Sequence, residues 1–140
     1  MLTGTAIALA VKQPLLAAPL AFISHFFLDA TPHFGGTPFY EYGHKWFPYI
    51  MATDGVISAG AVFFICSLVP SLATLILLCV LCAILPDVLL LHYYAHNRPQ
   101  SWFHRLHLNI QWFERPPGAI VEASYLVFIS TVITALIWRG

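Results

Sequence analysis

The chain has 140 residues, of which 59% are hydrophobic and only 9% are charged, and its formal net charge is +0. A soluble domain carries about 25% charged residues, so this composition excludes a chain that covers itself with a solvated surface. The mean hydropathy of +0.79 indicates one integral membrane domain over residues 1–140. With no basic run and no acidic tail, a nucleic-acid partner is not expected.

The apolar segments, taken in chain order, predict an all-α, polytopic transmembrane helix bundle. A membrane-spanning helix needs about 20 apolar residues, so the first segment, Leu2 to Val11, is too short and is predicted to be an N-terminal half-span. Four longer segments are predicted to span the membrane: residues 14–31, 49–69, 72–96 and 119–138. The stretch 101–113 mixes aromatic, basic and apolar residues, which predicts a short helix along the membrane interface.

Four carboxylates interrupt the apolar segments, at Asp29, Asp54, Asp87 and Glu122. A carboxylate at the centre of a membrane helix costs about 2.5 to 3.5 kcal/mol, so each needs a partner. Asp29 and Asp87 lie near the ends of their segments, whereas Asp54 and Glu122 lie near the beginnings. If successive helices run up and down alternately, all four carboxylates arrive at the same membrane face.

The first candidate site is the pair His25 and Asp29. Residues four apart project from one face of a helix, so the two side chains can chelate one divalent ion, or the carboxylate can orient the imidazole. The alternative is a hydrogen-bonded pair that only fastens helices together. His33, directly after Pro32, is either a further ligand or a cap at the interface.

The next two acids differ in their surroundings. Asp54 precedes a small-residue face that includes Gly55 and Gly60, which predicts close helix packing with Asp54 pointing into the bundle. Pro86 kinks its helix and frees a backbone carbonyl beside Asp87, which we expect to meet ligands from other helices. For Asp54, as for Glu122, the alternative is a carboxylate favoured by the dipole at a helix N-terminus.

The second loop carries His104, Arg105 and His107. On a helix the two imidazoles share a face, and the guanidinium points about 100° away. Imidazoles with a guanidinium suit metal-assisted attack on a phosphoryl or acyl group, although interfacial anchoring explains the same residues in isolation. Carboxylate oxygens combined with imidazoles fit a divalent metal ion such as Zn, Mn or Fe.

Three motifs carry a resemblance to a known family: HFFLDATPH at residues 25–33, LPD at residues 85–87 and HR at residues 104–105. They resemble motifs of the small bacterial membrane-bound metal-dependent hydrolases, which include the LexA-binding, inner-membrane-associated hydrolases. The resemblance implies a multi-span helical protein with a His/Asp metal centre. It implies His25, Asp29, Asp87 and His104 as the metal-linked positions.

The chain departs from that family in two places. Family members usually show a Thr-His pair leading into the first helix, and no histidine precedes His25 here. Their His-Arg motif usually continues to Thr-His-Ser, whereas here His107 arrives early and Asn109 follows.

These observations predict a membrane-embedded metal-dependent hydrolase with a His/Asp site, acting on a lipid-like or phosphoester substrate. One or two ions, with zinc among the candidates, would be held by residues from the first three spans: His25, Asp29, Asp54 and Asp87, with His33 as a further candidate. The predicted catalytic residues are His104 or His107 as general acid/base, Arg105 as the anion-binding group, and Glu122. Membrane lipids are the expected surroundings.

The positive charges predict the orientation. Lys45, Arg98, Arg105 and Arg115 flank the carboxylate-bearing face and only two cations flank the other, which favours a cytoplasmic site in a bacterial inner membrane. Two other classes remain open from the sequence. One is a non-enzymatic protein that binds or conducts metal ions or protons through the same carboxylates, and the other is a structural or assembly factor.

Overall fold

The computed structural model describes residues 1–35, 44–96, 101–113 and 115–139, apart from the side chains of residues 94 and 95. Within these ranges all the regular structure is helical, which confirms the all-α class. The helices are α1 (Leu2–Val11), α2 (Pro14–Asp29), α3 (Phe47–Leu68), α4 (Ala73–Ala95), α5 (Trp102–Ile110) and α6 (Gly118–Arg139), with a 3-10 turn at Pro70–Leu72 between α3 and α4. Arg98, which entered the orientation argument, lies outside the described residues.

Three helical segments have the length and apolar composition of membrane spans: Phe47–Leu68, Pro70–Tyr93 and Gly118–Arg139. Large apolar side chains cover their outer faces. Phe63, Phe64, Val127 and Phe128 each expose 62 to 68% of their surface. A soluble monomer rarely exposes apolar patches on this scale, so these faces fit contact with lipid and indicate an integral membrane protein.

The first two helices form a hairpin. α1 ends at Lys12, which adopts a left-handed conformation with φ of 55° and donates its backbone N–H to the carbonyl of Ala8. Pro14 then opens α2, where its fixed φ suits the first helical turn and its missing N–H costs nothing. At 10 and 16 residues, the two helices measure about 15 and 24 Å, so both are shorter than the roughly 30 Å hydrocarbon core.

The centre of the bundle is built from α1, α2 and α4. Their contact surfaces are lined by small side chains, among them Ala17, Ala21 and Ala83, which are at most 7% exposed. Gly4 lies so close to α4 that a Cβ at this position would stand 2.7 Å from the carbonyl oxygen of Cys79. Small residues of this kind let membrane helices pack backbone against backbone.

The end of α2 is tied to the start of α6. The backbone N–H of Arg115 donates a hydrogen bond of 3.1 Å to the carbonyl of His33. Gly118 lies so close to the backbone of His33 that a Cβ there would collide with it. The C-terminal end of α2 and the N-terminal end of α6 therefore share one end of the bundle, and the two helices run in opposite directions.

Candidate metal centre

α2 supplies two side chains from one face of its last turns. His25 and Asp29 are four residues apart, and their Nε2 and Oδ2 atoms lie 3.2 Å from each other. The His25 side chain is 8% exposed and that of Asp29 is 16% exposed. The face that carries them continues the Ala17 and Ala21 positions that pack against the centre of the bundle, so both polar groups are drawn inward.

Two more helices bring one ligand-type side chain each. Asp87 comes from the turn of α4 that follows Pro86, and His107 comes from α5. Asp87 Oδ1 lies 3.5 Å from His25 Nε2 and 3.7 Å from His107 Nε2. His107 Nε2 lies 2.9 Å from Asp29 Oδ2 and 3.4 Å from His25 Nε2. Four potential ligand atoms from three helices therefore lie close together, and the group of His25, Asp87 and His107 can hold a metal ion, with Asp29 beside both histidines.

The spacing of several of these atoms is close to that of neighbouring ligands around one metal ion. Bonds of about 2.0 to 2.2 Å from zinc to nitrogen or oxygen place neighbouring ligand atoms about 3.3 to 3.6 Å apart. The five distances given above run from 2.9 to 3.7 Å. These pairs of atoms are therefore about as close as ligands of one ion, and His25, Asp87 and His107 are the three whose ligand atoms all approach one another.

Hydrogen bonding alone does not account for the cluster. Asp29 Oδ2 is buried and lies 2.9 Å from His107 Nε2 and 3.2 Å from His25 Nε2, yet neither imidazole of the described residues gives it a hydrogen bond of good geometry. A buried carboxylate oxygen without such a partner carries a large desolvation cost. A cation among these side chains would offset the desolvation cost of the carboxylate, so the residues present fit a divalent metal ion.

A hydrogen bond orients the imidazole of His25, and aromatic packing holds that of His107. The His25 side chain also hydrogen-bonds the backbone of Ala83 on α4, an arrangement that commonly fixes the ring of a metal-binding histidine. The His107 side chain is 0% exposed, and its ring lies 5.8 Å from that of Phe26 and 6.4 Å from that of Phe103 between centroids. The site is open on the side of Asp87, whose side chain is 48% exposed.

The structure places Asp54 outside this cluster. Asp54 is exposed on α3 and lines an open cavity of about 400 Å³ together with other α3 residues: Tyr49, Ile50, Thr53 and Ile57. Gly55 and Gly60 meet nothing within 4 Å of a built Cβ, so among the described residues the predicted small-residue face makes no close helix contact. α3 instead packs through Val62 and Ile65 in its C-terminal half, and its N-terminal half does not carry Asp54 to the other acids.

His33 and Glu122 lie where the residues after α2 meet the start of α6. His33 Nδ1 lies 2.9 Å from the carbonyl oxygen of Thr31, an arrangement that suits a cap at the end of α2. Glu122 is exposed, and its Oε1 accepts a hydrogen bond of 3.0 Å from the backbone N–H of Phe34. In the structure both residues stabilise the loop, and neither belongs to the four-residue cluster.

The histidine pair on α5 is divided between two environments. His107 enters the cluster, whereas His104 is buried with its ring 5.7 Å from that of Tyr93. The N-terminus of α5 is capped by Ser101, whose hydroxyl accepts the backbone N–H of His104 at 3.2 Å. Arg105, between the two histidines, is exposed. The guanidinium therefore lies on a different face of α5 from the cluster.

Gln111 is a neighbour of the cluster that the sequence analysis did not identify. Its amide nitrogen lies 3.2 Å from His107 Nε2. The available signal was spacing, since His104, His107 and Gln111 recur at intervals of three and four along one helical face. Gln111 lies within the helix predicted over residues 101–113, but a neutral amide there carries no charge or ligand chemistry that marks it as a site residue.

Compared with known proteins, the chain matches no protein-family profile, no curated protein and no solved structure.

Proposed function

We propose that this chain is a membrane-embedded, metal-dependent hydrolase that acts on a lipid-like or phosphoester substrate at the cytoplasmic face of a bacterial inner membrane. The observation that carries the proposal is the convergence of His25, Asp29, Asp87 and His107, with pairs of their side-chain atoms 2.9 to 3.7 Å apart. Ionisable groups inside apolar helices are costly and usually functional. The family resemblance of residues 25–33, 85–87 and 104–105 supports the same reading.

We also propose four spans, with α2 as the shortest and α1 as a half-span. A 16-residue helix reaches about 24 Å, and a short span is accommodated by local thinning of the bilayer. Counting α2 places the C-terminal ends of α2 and α4 at one membrane face, where Asp29 and Asp87 meet. Lys45 and Arg115 flank that face, which by the positive-inside rule is cytoplasmic.

The assignment of roles follows from the placement of the side chains. His25, Asp29, Asp87 and His107 would hold the ion, and imidazoles with carboxylate oxygens suit zinc, manganese or iron. A bound divalent cation supplies Lewis-acid polarisation and an activated water. With His107 committed to the ion, His104 is the proposed general acid/base. Arg105, on another face of α5, would attract anionic substrates to the interface without contacting the group bound at the ion.

The decisive experiment measures metal content and hydrolysis on the same purified full-length chain. We expect about one equivalent of tightly bound divalent metal, lost in Asp29→Ala, and cleavage of phosphoester or phospholipid substrates that a chelator abolishes. The matched control is Asp54→Ala, which removes an acid from another span and leaves the metal in place.

Weak and readily exchanged metal without hydrolysis would favour a protein that binds or conducts ions instead. Equal metal content in the wild type and Asp29→Ala would remove Asp29 from the ligand set. A wild type that binds no divalent metal would contradict both readings. In that case the polar cluster would only fasten α2, α4 and α5 to one another.

A further inference from the structure

Gln111 occupies a defined position at the end of α5. Its backbone N–H donates to the carbonyl of His107 at 3.3 Å, which closes the helix. Its side chain is four residues beyond His107 and therefore lies over the same face. The side chain is partly buried, so its position is set by the fold.

The contact between Gln111 and His107 cannot persist when an ion is bound. His107 Nε2 carries one lone pair or one proton, yet it faces Asp29 Oδ2 at 2.9 Å, Gln111 Nε2 at 3.2 Å and His25 Nε2 at 3.4 Å. A cation among the ligands takes that lone pair, since a metal-bound imidazole is deprotonated at the bonding nitrogen. The amide N–H groups of Gln111 then need another acceptor beside the ion.

The charges at the centre show why such a donor is useful. A divalent cation with the two carboxylates of Asp29 and Asp87 has no net charge. An anionic ligand that reaches the ion is therefore not held by net charge alone and depends on hydrogen-bond donors aimed at its oxygens. Gln111 supplies a neutral donor within reach of the ligand atoms, whereas Arg105 is exposed on another face of α5.

We propose that Gln111 is an oxyanion-binding residue, whose side-chain amide donates a hydrogen bond to an oxygen of a phosphoryl group bound at the metal centre. The inference rests on the proposed function and deepens it, because it names the phosphoryl oxyanion as the group that the site receives. The phosphoryl group belongs either to a lipid headgroup or to a soluble ester.

The test uses the full-length chain in detergent, loaded with Co²⁺ as a spectroscopic probe and titrated with inorganic phosphate. Gln111→Leu removes the donor at similar volume, and Asn109→Leu removes an exposed amide from the same helix as a matched control. Gln111→Glu puts a negative charge in the same place. Circular dichroism and size-exclusion profiles establish that each variant is folded.

We expect Gln111→Leu to bind Co²⁺ within about threefold of the wild type and to bind phosphate about tenfold or more weakly, as for a lost hydrogen bond to a charged group. Gln111→Glu should weaken phosphate binding at least as much, because like charges repel. Asn109→Leu should match the wild type. Parallel titrations with a short-chain phosphatidic acid and with glycerol phosphate distinguish a lipid from a soluble source of the phosphoryl group.

Each contrary result has a separate meaning. Equal phosphate affinities in the wild type and Gln111→Leu, or a cobalt-loaded wild type that binds no phosphate, overturn the role of Gln111 and leave the metal centre standing. Loss of Co²⁺ in a folded Gln111→Leu variant makes the residue a ligand and also overturns it. A wild type that binds no Co²⁺ overturns the proposed function and this inference together.

Discussion

Asp87 and Asp54 are both single carboxylates in long apolar helices, but Asp87 has histidine neighbours and Asp54 is exposed. Asp87 lies on α4, where α2 packs closely and α5 covers the end of the bundle, so two imidazoles stand within 3.7 Å of its carboxylate. Asp54 lies on the N-terminal half of α3, where built Cβ atoms at Gly55 and Gly60 would meet nothing within 4 Å, and it stays exposed. An acid in an apolar helix therefore becomes part of a site only where neighbouring helices bring ligands to it.

The largest expected effect comes from neutralising one acid in each of the two regions. Asp29→Asn should lower metal affinity by more than about a hundredfold, because removing a ligand costs more than the 10–100-fold typical of outer partners. Asp54→Asn should leave the affinity unchanged. Metal content by mass spectrometry after dialysis against a weak chelator checks both, and equal losses in the two variants would contradict the assignment.

Acidity provides a second test of the same region. Protons compete with the ion for both imidazoles, which ordinarily titrate between pH 7 and pH 5, so metal affinity should fall by about tenfold or more over that range. His92, on the last turn of α4, and His96, just after the helix, have rings 4.3 Å apart and serve as the control. Replacing both with alanine should leave the pH dependence intact in a metal titration, and a flattened profile would move the site to that pair.

How far the sequence predicted the structure also depends on the region. The limits of α1 and α2 and the pairing of His25 with Asp29 follow from local rules, namely apolar length, Pro14 and a spacing of four residues. The position of Asp54 outside the cluster depends on how α3 packs against its neighbours, which no local sequence pattern encodes. The choice of His107 over His104 depends on where α5 docks, since both share one helical face.

A third test compares helix packing in the two regions. Gly4→Val should destabilise the protein by roughly 1 to 3 kcal/mol, as is typical of overpacking, because its first side-chain atom would press on the backbone of Cys79. Gly60→Val should change the unfolding midpoint little, since its surroundings are open. Thermal unfolding in detergent measures both, and equal midpoints would show that α1 does not pack as described.

The smallest expected effect concerns Glu122. Glu122→Ala removes the acceptor of the Phe34 N–H and should cost about 0.5 to 1.5 kcal/mol, whereas Glu122→Gln retains an acceptor oxygen and should cost less. Metal content should stay at the wild-type value in both variants. If a folded, metal-loaded Glu122→Gln variant loses hydrolysis, Glu122 takes part in catalysis, as the sequence predicted.

The bond from Arg115 to His33 has a consequence for Asp29, the last residue of α2. Helix ends fray readily, and a side chain at such an end would ordinarily sample many positions. Here the four residues that follow Asp29 lead directly into a fixed crossing with the opening of α6. A group at the margin of its helix is thereby held almost as firmly as one in the middle, as a well-defined coordination geometry requires.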